Sequence, residues 1–121
     1  MIYVGVLHYI LMLTDELKKG TTPFLVLALL EIESRHGYEL SKRLDQQSKG
    51  VVHVHASSLY PLLYRMEKDG LITGRWVEKA AHRRRRYYQI TAEGRRQLAS
   101  QRREWTAFVR AIGELTGVEY A

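Results

Sequence analysis

The sequence contains no cysteine, and this absence excludes two kinds of stabilising site. Without thiols the chain can form neither a disulfide framework nor a thiolate metal centre. It also lacks an apolar run that could span a bilayer, because the N-terminal stretch MIYVGVLHYILML is too short and has no cationic region before it. We therefore expect a cytoplasmic protein that does not associate with a membrane.

Motifs of catalysis and cofactor binding are missing as well. The chain has no phosphate-binding glycine loop, no nucleophile elbow and no motif with paired carboxylates. His53 and His55 are spaced to lie on one face of a strand, with His36 or His82 as a third ligand, but no neighbouring carboxylate completes a metal site. We predict a protein that is not an enzyme and needs no metal or cofactor.

Acidic residues are scarce in one part of the chain. The 121 residues include 19 Lys or Arg against 13 Asp or Glu, a formal net charge of +6. Between Arg75 and Arg103, ten cationic side chains stand against two acids. A charge run can be only a solvated surface, but four consecutive arginines at 83–86 favour binding of a nucleic acid.

Helix signals dominate the first half of the chain, which has the length of one domain. Thr22 and Pro23 predict the start of a core helix, with a capping hydroxyl followed by proline at the first helical position. A second helix is expected from Tyr38 to about Gly50. The run VVHVH at 51–55 alternates with period two and predicts a short strand.

The stretch ASSLYPLLYRMEKDG at 56–70 predicts a short helix with two different faces. Ser57 or Ser58 is expected to cap it, Pro61 to lie in its first turn and Gly70 to end it. Apolar residues at helical spacing predict the buried face: Leu59, Leu62, Leu63 and Met66. The other face then presents hydroxyls and cations.

Two strand-like runs follow, LITGRWVEK and RYYQIT, and the loop between them is expected to end in the four arginines. A helix followed by a hairpin with a basic tip is the order of a winged helix-turn-helix. We predict a mainly α fold with a small β-hairpin, divided into an N-terminal extension (1–20), a winged helix-turn-helix DNA-binding domain (21–91) and a C-terminal dimerisation helix (92–121).

The last helix should begin after Thr91 and end near Gly117. Its apolar residues repeat every seven positions, with a second series three residues later, which is typical of a seam between helices. The expected seam residues are Leu98, Trp105, Phe108, Ile112 and Leu115. An identical chain is the simplest partner for this seam.

Several motifs in this order resemble the PadR family of bacterial transcriptional regulators over residues 21–116. They are HGYEL at 36–40, SSLYPLLYRMEKDGLI at 57–72, Trp76, RRRRYYQIT at 83–91 and EWTAFVRAI at 104–112. The resemblance implies a homodimer that binds two half-sites in double-stranded DNA, usually as a repressor. The single C-terminal helix is similar to the compact members, which implies that a small aromatic effector binds between the subunits.

The DNA-binding residues expected from this resemblance and from charge lie at three places in the chain. They are Tyr38, then Ser57, Ser58, Tyr60, Tyr64, Arg65 and Lys68, and finally Arg83, Arg84, Arg85 and Arg86. The serines could instead be caps, and the tyrosines half-buried core residues. By strand alternation, two of the arginines should face DNA phosphates or the minor groove.

Trp105, with Phe108 and Leu98, is the expected effector site, because two indoles near a two-fold axis could sandwich a flat aromatic molecule. Its alternative is a large side chain that simply fills the dimer interface.

The same sequence features fit two rival functions. A nucleoid or accessory protein would bind DNA with little preference for sequence. A protein-interaction module would direct its arginines to an acidic partner and bind duplex weakly at physiological salt.

Overall fold

The computed structural model describes residues 20–79 and 83–119, with the backbone alone at 79 and 83. Residues 1–19 of the expected N-terminal extension (1–20) and residues 80–82 of the wing, His82 among them, lie outside these ranges. Helix α1 is described over residues 20–32. The other helices are α2 (Gly37–Gln47), α3 (Ala56–Lys68) and α4 (Ala92–Thr116), and the strands are β1 (Arg35–His36), β2 (Ile72–Lys79) and β3 (Arg83–Ile90).

The strands form one antiparallel sheet in the order β1-β3-β2, beside the helices. The predicted fold class, mainly α with a small hairpin in a winged helix-turn-helix arrangement, is confirmed. None of the helices in the described part of the chain is long and apolar enough to cross a membrane.

One apolar core joins all four helices to the base of the hairpin. α2 buries Leu40 and Leu44, as predicted from helical spacing. The whole core consists of Val26, Leu27, Leu29, Leu30, Leu40, Leu44, Leu59, Leu63, Met66, Leu71, Ile72, Tyr88 and Leu98. Leu98 belongs to this core, so the first turns of α4 are part of the winged domain.

Two predicted helix starts are wrong. Residues 20–22 are already helical, so Thr22 is a buried helical residue in α1. α3 begins at Ala56 after His55, without a side-chain cap, and Ser57 lies inside its first turn. Pro61 is therefore in the helix interior, where its ring removes the N–H that would otherwise bond to the carbonyl of Ser57.

The predicted strand at 51–55 is also wrong, because this segment is irregular. The backbone of this segment forms hydrogen bonds with side chains of α2 and of the residue that caps the C-terminus of α2, and not with a neighbouring strand. The Ser41 hydroxyl donates to the Val54 carbonyl at 2.5 Å, and Ser48 Oγ accepts from the Val52 N–H at 2.8 Å. The alternation of apolar and polar residues here reflects partial burial of every second side chain, and these residues form no backbone hydrogen-bond ladder with a strand.

The third strand of the sheet, β1, lies where the sequence predicted only a break between helices. Arg35 and His36 pair with Tyr88 and Tyr87 of β3. Arg35 is almost fully buried, and its guanidinium lies 3.0 Å from the Glu33 carboxylate. Two residues are too few to show a period in sequence.

The hairpin of β2 and β3 is the wing, and its register runs from Ile72 opposite Ile90 to Lys79 opposite Arg83. The four arginines are therefore part of strand β3. The expectation that they end a loop is wrong, because each pairs with a β2 residue along the ladder.

The end of α3, the wing and the start of α4 meet at four residues that we call the wing base: Gly70, Leu71, Thr91 and Gly94. Gly70 has φ +78, so it ends α3 in the left-handed conformation. The Thr91 N–H donates to the Leu71 carbonyl at 3.1 Å, and its hydroxyl donates to the Gly70 carbonyl at 2.7 Å. Thr91 Oγ1 also accepts from the Gly94 N–H, which confirms the predicted cap of α4.

α4 is about 37 Å long by its 25 residues. Its first half is held against α1 by two contacts. The Arg102 guanidinium donates to both carboxylate oxygens of Glu31 and holds the pKa of that carboxyl below its usual value, although burial acts the other way. The Trp105 and Phe24 rings stack with their centroids 6.1 Å apart.

We expect Gly94→Ala to destabilise the fold. A Cβ at this position would collide with the Leu71 carbonyl oxygen, a backbone atom that cannot move without displacing the wing base. Overpacking of this kind costs about 1–3 kcal/mol, to be measured as the free energy of unfolding in urea. Gly20→Ala is the matched control, because its Cβ meets nothing within 4 Å. Equal stability of both variants would contradict the close approach.

Candidate nucleic-acid interface

The outward face of α3 carries the polar residues that the sequence selected. Leu59, Leu63 and Met66 are buried on the opposite side, as predicted. Tyr60 and Tyr64 are 48% and 67% exposed, so neither is a core aromatic. The exposed residues of this face are Ser57, Ser58, Tyr60, Tyr64, Arg65 and Lys68.

The wing arginines divide between two faces of β3, as strand alternation predicts. Arg84 and Arg86 both lie over the Trp76 ring, with their guanidinium carbons 5.0 and 5.5 Å from its centroid. Arg85 points the other way, and its Nη1 lies 3.1 Å from His36 Nε2. Trp76 is 57% exposed. Arg84 is exposed as well, so its guanidinium is accessible to an anion although it stacks on the indole.

His36 links α2 to the wing. Its Nδ1 accepts from the Glu39 N–H at 3.2 Å and so caps α2. A neutral imidazole with an accepting Nδ1 carries its proton on Nε2, and the Arg85 guanidinium can only donate. In this tautomer both groups are donors, so the 3.1 Å contact between them is not a hydrogen bond.

Arg86 is held differently, because its Nη2 lies 2.6 Å from the Glu67 carboxylate of α3. Gly74 makes room for this ion pair: a Cβ there would lie 2.6 Å from Arg86 Nε and 2.9 Å from Glu67 Oε1. Burial raises the pKa of the Tyr88 hydroxyl beside the pair, and the charge of Arg86 partly offsets this effect.

A cleft of about 620 Å³ lies between α2, α3 and the wing. The Tyr60 ring packs so closely on Gly37 that a Cβ there would lie 2.6 Å from the ring. The lining residues are His36, Gly37, Tyr38, Tyr60, Trp76, Arg84, Arg85 and Arg86. Cations and flat aromatic faces on one concave surface can bind the phosphates and sugars of a polyanion.

The structure thus brings together candidates that are far apart in sequence. Tyr38 and Tyr60 share the cleft with three of the wing arginines, while Arg83 is described only as backbone. The sequence-based list of site residues omitted His36, Glu67 and Trp76. Trp76 and His36 belong to the motifs of the family resemblance, but only the hairpin register, with Trp76 opposite Arg86, gives Trp76 a role in the site.

The histidines of the irregular segment form no metal site. His53 Nδ1 lies 3.4 Å from Asp45 Oδ1, and the rings of His53 and His55 meet edge to face at 4.8 Å. Within residues 20–79 and 83–119, no three metal-ligating side chains converge.

The second half of α4 carries an exposed apolar stripe. Leu98 is fully buried within its own chain and adds nothing to this surface. Trp105 is partly buried between Phe24 and Phe108, whose ring meets the indole edge to face at 5.8 Å. The exposed seam residues are Phe108, Ile112 and Leu115, the last being 87% exposed.

The fold and this basic face define a winged helix-turn-helix protein of the DNA-binding class. The model of the transcriptional regulator PadR-like family matches residues 26–100, which is more than half of the chain. The protein therefore belongs to the PadR-like family of transcriptional regulators.

Solved structures agree with this assignment. A PadR-like transcriptional regulator from Bacillus cereus is 33% identical, with a TM-score of 0.76 over 86% of this chain and 99% of its own. A PadR family regulator from Eggerthella lenta is 31% identical, with the same TM-score, over 98% and 99% of the two chains. PadR from Bacillus subtilis, solved in complex with operator DNA, is similar in fold: 21% identity and a TM-score of 0.62 over 66% of this chain and 45% of its own.

Proposed function

We propose that this protein is a sequence-specific transcriptional repressor that binds a two-fold operator as a homodimer and is released by a small aromatic effector. The observation that carries DNA binding is the shared cleft, where Tyr38 and Tyr60 meet the wing arginines beside an exposed, polar α3. One face thus offers a helix for the major groove and cations for the flanking phosphates.

The residues of this face divide into two roles. Ser57, Ser58 and Tyr60 lie in the first turns of α3, where a recognition helix meets base edges. Phosphate contacts fall to cations and hydroxyls around them: Tyr38, Tyr64, Arg65, Lys68 and the wing arginines Arg83, Arg84 and Arg85. Arg86 belongs to the same face but is paired with Glu67. The operator complex of the Bacillus subtilis relative supports this use of the fold.

Selection from a random duplex library tests the proposal, followed by titration of the winning sequence against shuffled duplex at several salt concentrations. We expect a two-fold symmetric motif with half-sites about one helical turn apart, preferred by about a thousandfold or more. A steeply salt-dependent protein that enriches no motif would be a low-specificity binder. Weak duplex binding at physiological salt would favour an acidic protein partner.

The same titration with variants of the wing arginines tests whether the wing contacts DNA. Arg84→Ala and Arg85→Ala should weaken binding to operator and shuffled duplex alike, and each should lower the log-log salt slope by about 0.9 per lost phosphate contact. Arg103→Ala, which removes an exposed arginine of α4 away from the wing, is the control of equal charge. An unchanged slope in the β3 variants would remove the wing from the interface.

The homodimer rests on the apolar stripe of α4. Phe108, Ile112 and Leu115 recur on one side of the helix, beyond the part that packs against α1. Exposed apolar residues at this spacing pack well against a second helix with the same stripe. An isologous contact of two such helices places two winged domains on one duplex.

Leu115→Arg should weaken the dimer by roughly tenfold or more, because it brings an unpaired charge into an apolar interface. Sedimentation equilibrium measures the dimer dissociation constant. Thr106→Arg is the control, since it adds the same charge to an exposed residue of α4 half a turn out of phase. A wild-type monomer, or equal constants in the two variants, would contradict the seam.

Effector binding is assigned to Trp105. Its stack on Phe24 ties the helix of the seam to the winged domain, so a planar ligand at the indole contacts both parts. Such a ligand could favour a dimer geometry in which the two recognition helices no longer match the half-site spacing.

In a Trp76→Phe variant Trp105 is the only tryptophan, because the sequence has two. Titration with ethidium, a planar aromatic cation, should quench its fluorescence. Trp105→Ala should lower the affinity for ethidium, followed by dye fluorescence, by about three- to tenfold, since aromatic stacking contributes about 0.5–1.5 kcal/mol. Trp76→Ala is the control. Undiminished binding by Trp105→Ala would contradict the site.

A further inference from the structure

A carboxylate of α3, that of Glu67, lies within the cationic face. Glu67 lies on α3 between the exposed Tyr64 and Lys68, and its Oε2 accepts a 2.6 Å hydrogen bond from Arg86 of the wing. Both side chains are about a quarter exposed, at 27% and 29%. The pair is therefore part of the proposed DNA-binding surface and is partly shielded from solvent.

The surroundings of this ion pair are shaped to hold it. Gly74 has no side chain where a Cβ would collide with both partners. The Trp76 ring covers the guanidinium of Arg86 from one side, and Glu67, Trp76, Arg86 and Tyr88 line one groove of about 510 Å³ with the tyrosines of α3. Arg84, in contrast, is exposed, and Arg85 contacts a histidine.

We propose that Glu67 is a specificity-determining residue, which holds Arg86 back from the phosphates and so lowers the affinity for duplex of random sequence. This inference rests on the proposed DNA binding. Non-specific affinity grows with the number of phosphates that a protein neutralises, whereas base contacts are unaffected by this number. A carboxylate that occupies one arginine therefore lowers the affinity for every sequence by one phosphate contact. The preference for the operator rises through a second effect of Glu67, its repulsion of phosphates in misplaced complexes.

The same carboxylate also acts directly on the backbone of the duplex. An anion on a DNA-binding face repels phosphates. It therefore weakens complexes in which α3 does not lie correctly in the major groove and a phosphate comes close to Glu67. Its ion pair with Arg86 also links α3 to β3. One carboxylate thus both occupies Arg86 and repels phosphates. Trp76 and Tyr88 then act as positioning residues for Arg86.

Removal of the charge at Glu67 tests the proposal. Glu67→Gln keeps the shape of the side chain and leaves Arg86 unneutralised, so one further phosphate contact becomes available for each bound chain. Such a contact adds about 0.9 to the log-log salt slope and raises the affinity for random duplex up to about eightfold at 0.1 M salt. Fluorescence anisotropy of a labelled random duplex, at five salt concentrations, measures both quantities.

Glu93→Gln is the matched control. Glu93 is also ion-paired to an arginine, Arg96, but this pair is exposed in the first turn of α4. Both substitutions remove one negative charge, so a general effect of net charge is the same in the two variants. Equal slopes and affinities for Glu67→Gln and Glu93→Gln would overturn the proposal.

A double variant keeps the test valid if Glu67→Gln folds poorly. Glu67→Gln with Arg86→Gln removes both charges of the pair, so random-duplex binding should match that of the wild type within about twofold. A salt slope lower by about 0.9 would show that Arg86 contacts phosphate in the wild type, and would overturn the proposal. Thermal melts identify variants that have lost the fold.

The outcomes separate this inference from the function on which it rests. Wild-type protein that does not bind random duplex even at low salt would overturn the proposed DNA binding. Salt-dependent wild-type binding, with Glu67→Gln equal to its control, would overturn the role of Glu67 alone. With an operator from the selection, Glu67→Gln should also show a smaller ratio of specific to random affinity.

Discussion

One backbone carbonyl, that of Leu71, determines how the parts of this protein meet. It accepts from the Thr91 N–H and is covered by Gly94, so the chain leaving α3 and the chain entering α4 lie against each other. β2 begins and β3 ends beside this carbonyl, which places the hairpin next to α3. A side chain at Gly94 would push the strands and α4 apart, because a backbone oxygen has no alternative rotamer to adopt.

The binding surface follows from this arrangement. Because α3 buries its leucines in the core, its polar face turns outward next to the wing. The hairpin register then places Trp76 opposite Arg86, with the guanidinium groups of Arg84 and Arg86 both over its ring. The proximity of α3 brings Glu67 to Arg86. Consecutive arginines therefore have different environments: Arg84 stacks on an indole, Arg85 contacts a histidine and Arg86 pairs with a carboxylate. Each environment changes what the guanidinium group can bind.

Local sequence patterns predicted most helices and strands correctly. They failed where the structure of a segment depends on a distant segment of the same chain. The cap by Thr91 and the inward face of α2 at Leu40 and Leu44 are confirmed, since they depend on residues within one or two turns. The segment 51–55 has the alternation of a strand but no strand beside it. β1, in contrast, has no recognisable pattern and forms because β3 presents open backbone groups to it. Likewise, Ser57 was assigned a capping role that the helix gives to no side chain.

By itself the sequence determined the order of helices and wing, the face of α3 that is buried and the excess of cations, because these depend on spacing and composition along the chain. It also determined the apolar stripe near Ile112, which its period alone reveals. Only the tertiary structure decided which cations act together, since ion pairs and ring contacts depend on distances of a few ångströms between segments far apart in sequence. The division between an accessible Arg84 and an ion-paired Arg86 arises in this way, from a register and a helix position that no local pattern encodes.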